Sequence, residues 1–142
     1  MTIADILNAK GGEVITAREN ASLLDVASLL AERRIGAVLV VDMGGEVVGI
    51  LSERDIVRRI AEKGDAALAC PVAECMTRRI VSCGRADTVD RAMELMTEGR
   101  FRHLPVMEEG ALVGLVSIGD VVKKKIAEVE RDADELKRYI AG

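Results

Sequence analysis

The sequence predicts a mixed α/β (α+β) fold made of two β-α-β-β-α units, packed sheet to sheet about a pseudo-two-fold axis. Three observations predict it. The chain repeats itself, each copy passes through the same order of strand and helix signals, and neither copy is large enough to stand alone. Residues 14–64 read VITARENASLLDVASLLAERRIGAVLVVDMGGEVVGILSERDIVRRIAEKG, and residues 80–130 read IVSCGRADTVDRAMELMTEGRFRHLPVMEEGALVGLVSIGDVVKKKIAEVE. Val14 aligns with Ile80 and Ile35 with Phe101 at an offset of 66. The pair Gly44-Gly45 against the single Gly110 lowers the offset to 65, so Gly49 meets Gly114 and Asp55 meets Asp120. A fixed internal period marks supersecondary units that bury their apolar faces against one another.

Each copy opens with a short β-rich stretch, Glu13–Thr16 or Ile80–Ser82. A polar loop then leads to Ser22, or to Asp87 and Thr88, residue types that cap helix N-termini. The following helices run about three turns, with Val26, Leu29, Leu30 and Arg33 in the first and Val89, Ala92, Met93 and Met96 in the second. Their i, i+3, i+4, i+7 spacing makes the apolar members one buried stripe. Two aliphatic runs follow across a glycine turn in each copy, 37–41 with 47–51 and 103–107 with 112–116, the signature of a β-hairpin. A closing helix begins at Glu53 or Ile118. Units of about 50 residues with one hairpin and two helices bury too little surface to be independently stable, so the two are expected to share a core. The division is 1–66 for the first unit with its amphipathic N-terminal helix, 67–79 for a linker with one helical turn at Val72–Met76, and 80–142 for the second unit. That unit ends in a long charged helix whose excess length suggests a partner chain, or else a solvated tail.

Composition narrows the function. The chain has 142 residues, 49% apolar and 31% charged, a globular balance. It has one Phe, one Tyr and no Trp, so it lacks the aromatic platforms on which single-stranded nucleic acids stack. The net charge of −4 offers no general basic field for a nucleic acid. Three cysteines (Cys70, Cys75, Cys83) without CxxC spacing, and a single histidine, form no familiar zinc set. They read as reduced structural thiols of a cytoplasmic protein. No signal peptide is legible, and the run Ile35–Val41 is too short to cross a bilayer, so no membrane partner is expected. His103 has no evident nucleophile beside it, and the glycines form neither a dinucleotide fingerprint nor a P-loop; no catalysis is expected.

The repeated feature with chemical content is Gly49-Ile50-Leu51-Ser52-Glu53-Arg54-Asp55 and its counterpart Gly114-Leu115-Val116-Ser117-Ile118-Gly119-Asp120. In both, a strand ends in Ser, a helix begins, and Asp follows three residues later. Seen once, this is best explained as a capping box. Seen twice, with Asp where Glu or Gln is usual, it leaves room for a ligand. A helix N-terminus presents N–H groups suited to phosphate. A carboxylate would repel phosphate but suits a ribose diol, so Ser plus Asp suggests a nucleotide across the strand end.

The whole repeat resembles a CBS domain, and the pair resembles the tandem module that such domains form. The two Gly–aliphatic–aliphatic–Ser–x–x–Asp stretches and the segment Arg100-Phe101-Arg102-His103-Leu104-Pro105-Val106 carry the resemblance. It implies a regulatory module holding an adenosine-type ligand (AMP, ADP, ATP, NAD or S-adenosylmethionine) between the repeats. Asp55 and Asp120 would hold ribose hydroxyls, with Ser52 and Ser117 at sugar or phosphate. Arg102 and His103 would reach phosphates, although a surface or salt-bridging role for His103 is equally open. Adenine would lie near Thr16, Ile35, Gly36 and Ala37, or near Ser82, Phe101 and Arg102. The first repeat has Gly36-Ala37 where the second has Arg102-His103, and Arg54 where the second has Gly119, so unequal pockets are expected. The resemblance also implies a homodimer and a regulated protein in trans. The alternative is an interaction scaffold that keeps the fold without the ligand.

Overall fold

The structure, a computed structural model, describes residues 1–141. Its elements run α1 (Ile3–Lys10), β1 (Thr16–Arg18), α2 (Leu23–Arg33), β2 (Ala37–Val41), β3 (Val47–Ser52), α3 (Glu53–Lys63), α4 (Val89–Gly99), β4 (His103–Glu108), β5 (Ala111–Ser117) and α5 (Ile118–Ala141). Two 3₁₀ segments, Gly64–Ala69 and Val72–Glu74, lie between α3 and α4. The chain separates into two compact units, one spanning Val14–Ile80 and the other combining Met1–Glu13 with the chain from Val81 onward.

The duplication holds at the level of single hydrogen-bonded pairs. In the first unit β2 and β3 pair antiparallel from Ala37 opposite Ser52 to Val41 opposite Val47, with a register shift between Val40 and Val41. In the second, β4 and β5 pair from His103 opposite Ser117 to Glu108 opposite Ala111, with the shift between Val106 and Met107. Ser22 and Thr88 cap α2 and α4, accepting N–H bonds from Asp25 at 3.1 Å and Arg91 at 3.0 Å. Both helices end on an arginine in the left-handed region, Arg34 and Arg100, each at φ 55°.

The two copies differ at their first strand. β1 runs parallel to β2 and completes a three-stranded sheet. The equivalent stretch of the second unit shrinks to a single parallel bridge between Cys83 and Val106, held by Cys83 N–H to Pro105 O and Met107 N–H to Cys83 O. Proline explains the difference: the next parallel bond toward residue 81 would need an N–H at position 105, and Pro105 has none. The strands also start later than Glu13 and Ile80, because residues 12–15 and 80–82 lead into the sheet instead of pairing in it.

Each unit has its own aliphatic core. Leu23, Val26, Leu30, Val38, Leu51 and Val72 centre the first. Ile3, Leu7, Val89, Met96, Leu104 and Val116 centre the second. The division at 1–66, 67–79 and 80–142 is redrawn by these contacts. Helix α1 precedes the first repeat but packs in the second unit, with Ile3 N–H on Asp87 O (2.9 Å) and Ala4 N–H on Arg85 O (3.0 Å). The segment 67–79 is no free linker but part of the first unit, with Val72 N–H on Ala21 O (2.8 Å) and Thr77 N–H on Ile50 O (2.9 Å). The physical reason is one shared pattern. Ile3-Ile6-Leu7 and Val72-Cys75-Met76 place apolar residues at i, i+3, i+4, and the last of each set lies over a glycine within the second strand of a hairpin, Gly114 or Gly49. A Cβ on Gly114 would come within 2.6 Å of the Leu7 side chain, and one on Gly49 within 2.5 Å of the Met76 sulfur.

Candidate functional site

Both strand-to-helix junctions form as the spacing predicts. At the first, the Ser52 N–H donates to Asp55 Oδ2 at 2.9 Å and the Ser52 hydroxyl to the same oxygen at 3.2 Å. At the second, the Ser117 N–H donates to Asp120 Oδ2 at 2.9 Å, and the Asp120 N–H donates to Ser117 Oγ at 3.1 Å. The capping reading is therefore satisfied at both positions. It uses one oxygen of each carboxylate, and a carboxylate has about four acceptor sites.

The hairpin register brings Gly36-Ala37 and Arg102-His103 to these junctions. Gly36 O accepts the Glu53 N–H at 2.9 Å and Arg102 O accepts the Ile118 N–H at 2.8 Å. With Ala37 opposite Ser52 and His103 opposite Ser117, the dipeptides 36–37 and 102–103 sit beside the Ser and the first helical residue of each junction. Thr16 is exposed on β1 opposite Leu39, two residues along β2 from Ala37, and Ser82 is exposed just before the Cys83 bridge. Arg54 and Arg102 are exposed. Ile35 and Phe101 are partly spent on structure, packing against the first and second cores. Ala37 is 2% exposed, so its side chain belongs to the core.

Sequence reasoning missed Lys10. Its ammonium, at the last position of α1, donates to Asp120 Oδ2 at 2.7 Å and to Leu115 O at 2.9 Å. Partial burial works to raise the Asp120 pKa, but the Lys10 bond and the Ser117 N–H outweigh it and hold the carboxyl below its ordinary value. Asp55 has Arg58 at 3.9 Å, one turn further along α3, with 72% of the arginine side chain exposed. The two carboxylates thus differ in electrostatic setting. The signal was present in the shared apolar pattern, which aligns Lys10 with the exposed Arg79, but only the packing of α1 brings Lys10 to Asp120.

A cavity of about 490 Å³ opens between α2 and α3, lined among others by Leu30, Arg34, Ile35, Gly36, Glu53 and Val57. Ser52 and Asp55 do not line it. Glu53 and Val57 share a helix face at i, i+4, and Asp55, two residues on, points to the other side. Of the predicted adenine positions only Ile35 and Gly36 reach this cavity. Cys83 is buried and its thiol is pushed up to about 12 by burial. Among the described residues no group of three His, Cys, Asp or Glu side chains could hold a metal ion, and no helix is long and apolar enough to cross a membrane.

Comparison with known proteins matches this architecture. The family described as CBS domain matches residues 2–62 and 72–126. The chain is 32% identical over 149 residues to the CBS domain-containing protein CBSX3, mitochondrial, of Arabidopsis thaliana, covering 99% of this chain and 72% of that one. It spans only 24% of the longer Arabidopsis thaliana protein CBSCBSPB5, to which it is 30% identical over 130 residues. The crystal structure of the CBS-domain containing protein ATU1752 from Agrobacterium tumefaciens superimposes with a TM-score of 0.86 at 45% identity, covering 87% of this chain and 92% of that one. The CBS domain pair of protein MJ0100, solved in complex with 5′-methylthioadenosine and S-adenosyl-L-methionine, gives a TM-score of 0.77 at 27% identity, covering 87% and 98%. With two family matches across most of its length and the same junction built twice, the chain belongs to the CBS-domain family, as a CBS pair of the regulatory kind.

Proposed function

We propose that this CBS pair senses an adenosine-containing ligand, with AMP, ADP, ATP and NAD as the candidates, and passes its state to a partner protein in trans. The observation that carries the reading is the duplicated junction: Ser and Asp at a helix start, with one carboxylate oxygen committed to the cap. The other oxygen of Asp55 or Asp120 is a charged acceptor for a ribose diol. The N–H groups at the start of α3 or α5 provide the partial positive charge that phosphate favours. The second junction suits a phosphate better, because Lys10 and Arg102 belong to its unit. The first, with uncharged Gly36-Ala37 in place of Arg102-His103, suits a ligand without a polyphosphate tail. That difference favours S-adenosylmethionine as a second reading for the first junction, a compound bound by the MJ0100 pair.

Titration calorimetry of the full chain with AMP, ATP, NAD and S-adenosylmethionine tests the reading. The carbonyl of Asn can still accept the Ser N–H, so Asp55→Asn and Asp120→Asn keep most of the cap while removing the charge. Loss of a charged acceptor for sugar hydroxyls costs about 1.5–3 kcal/mol, roughly ten- to a hundredfold in affinity. The expected result is that at least one of the two variants loses this much. If both bind like the parent, or if none of the compounds binds the parent, the reading is wrong and the scaffold alternative stands.

A further inference from the structure

We infer that α5 from Val122 onward is one strand of a parallel two-stranded coiled coil with a second copy of this chain. Along α5 the residues Val122, Ile126, Val129, Ala133, Leu136 and Ile140 recur at spacings of 4, 3, 4, 3 and 4. This is the a/d seam of a coiled coil, with Ile126, Ala133 and Ile140 at a and Val122, Val129 and Leu136 at d. All six are exposed; Val129 and Leu136 are 54% and 59% exposed and Ile140 is 76% exposed.

The seam is not the face by which α5 joins its own unit. That face carries Val121, Lys124, Lys125 and Glu128, the buried and half-buried positions, and at roughly 100° per residue the seam lies about 100° around the helix from it. From Val129 to Ala141 every residue is exposed. A helical stretch of that length without packing is marginal in water, and most helix stability in proteins comes from burying an apolar face. Ile140 at a beside Leu136 at d is the combination that favours two strands, whereas the other d positions, Val122 and Val129, are themselves β-branched.

Charge selects both the occupant and its direction. In a parallel pair, each g residue faces the e residue five positions on in the other helix. That sets Lys125 against Glu130 of the other copy and Asp132 against Lys137 of the other copy, opposite charges in both cases. Lys125 also holds Asp90 of its own chain at 2.8 Å, so Asp132 with Lys137 is the less encumbered pair. In an antiparallel pair with the same seam matched a to d, Lys123 would face Lys137, and Glu130 and Asp132 would each face themselves. Like charges oppose that arrangement. The seam is thus complementary to itself in parallel.

The test uses the full chain. Sedimentation equilibrium is expected to show a dimer, and Leu136→Asp is expected to raise its dissociation constant about a hundredfold or more, since two buried leucines are lost per dimer. Circular dichroism melting of the same variant checks that the core, which Leu136 does not touch, still unfolds as in the parent. Asp132→Lys is expected to weaken the dimer and Asp132→Lys with Lys137→Asp to restore it. Under mild oxidation Leu136→Cys is expected to give a covalent dimer that the parent, with its own three cysteines, does not give. A monomeric parent, a dissociation constant unchanged by Leu136→Asp, or failure of Leu136→Cys to cross-link would each overturn the inference.

Discussion

Replacing Lys10 by methionine removes the cation that holds Asp120 and keeps most of the side chain's bulk and helix propensity. The bond is 2.7 Å long. At that separation two unit charges attract by about 1.5 kcal/mol at the dielectric of water and more at a protein surface. Lys10 is 39% exposed and its flexible stem must be ordered, while Asp120 is 26% exposed. Solvent screening and that ordering cost bring the net contribution to about 1 kcal/mol, or a fall in Tm of roughly 2–4 °C for a chain of this size. The pH dependence gives the sharper signature. The Asp120 pKa is held low in the folded chain. The stability it contributes is therefore fully present above the ordinary carboxylate range and is lost as pH falls through the folded value. In Lys10→Met the folded value rises toward normal, so parent and variant differ at neutral pH and converge in acid. Side-chain carboxyl NMR titration of Asp120, with thermal melts at neutral and acid pH, reads both effects. An unchanged Asp120 titration, or a stability gap as large at pH 2 as at pH 7, would refute the reasoning.

Gly49→Ala is expected to destabilise the first unit by about 1–3 kcal/mol. The added carbon would meet the Met76 sulfur at 2.5 Å and the Thr77 backbone oxygen at 3.0 Å, and only the sulfur lies on a flexible side chain; chemical denaturation measures the loss, and a parent-like midpoint would contradict the packing. Cys83, buried with its thiol pushed up to about 12, is expected to stay unmodified at pH 8 by a thiol reagent that reaches the half-buried Cys70 and Cys75. Mass spectrometry of the labelled peptides checks this, and Cys83 labelling as fast as the other two would contradict it.

Most of the fold was legible because the sequence states it twice. Register follows from alternation and from where the turn falls, so aligning Gly49 with Gly114 already implied Ser52 and Ser117 at equivalent strand ends. The N-caps at Ser22 and Thr88 were legible from residue type. What was not legible depends on the path of the chain. The pattern Ile3-Ile6-Leu7 shows that α1 has an apolar face but not which repeat receives it, so Lys10 could not be assigned to Asp120. The loss of the first strand in the second unit follows from the missing N–H of Pro105, a detail of one hydrogen bond that strand propensity over 80–82 does not register. The cavity between α2 and α3 was also invisible, since it depends on the separation of two helices whose sequences specify only their buried stripes.

The position of the ribose in a crystal structure of the chain with its tightest-binding adenosine compound is the most direct test of the carboxylates as sugar ligands. The sugar hydroxyls are expected within hydrogen-bond distance of the Asp55 or Asp120 carboxylate. A ribose lodged elsewhere, for instance in the cavity between α2 and α3, with both carboxylates bonded as they are now, would contradict that role.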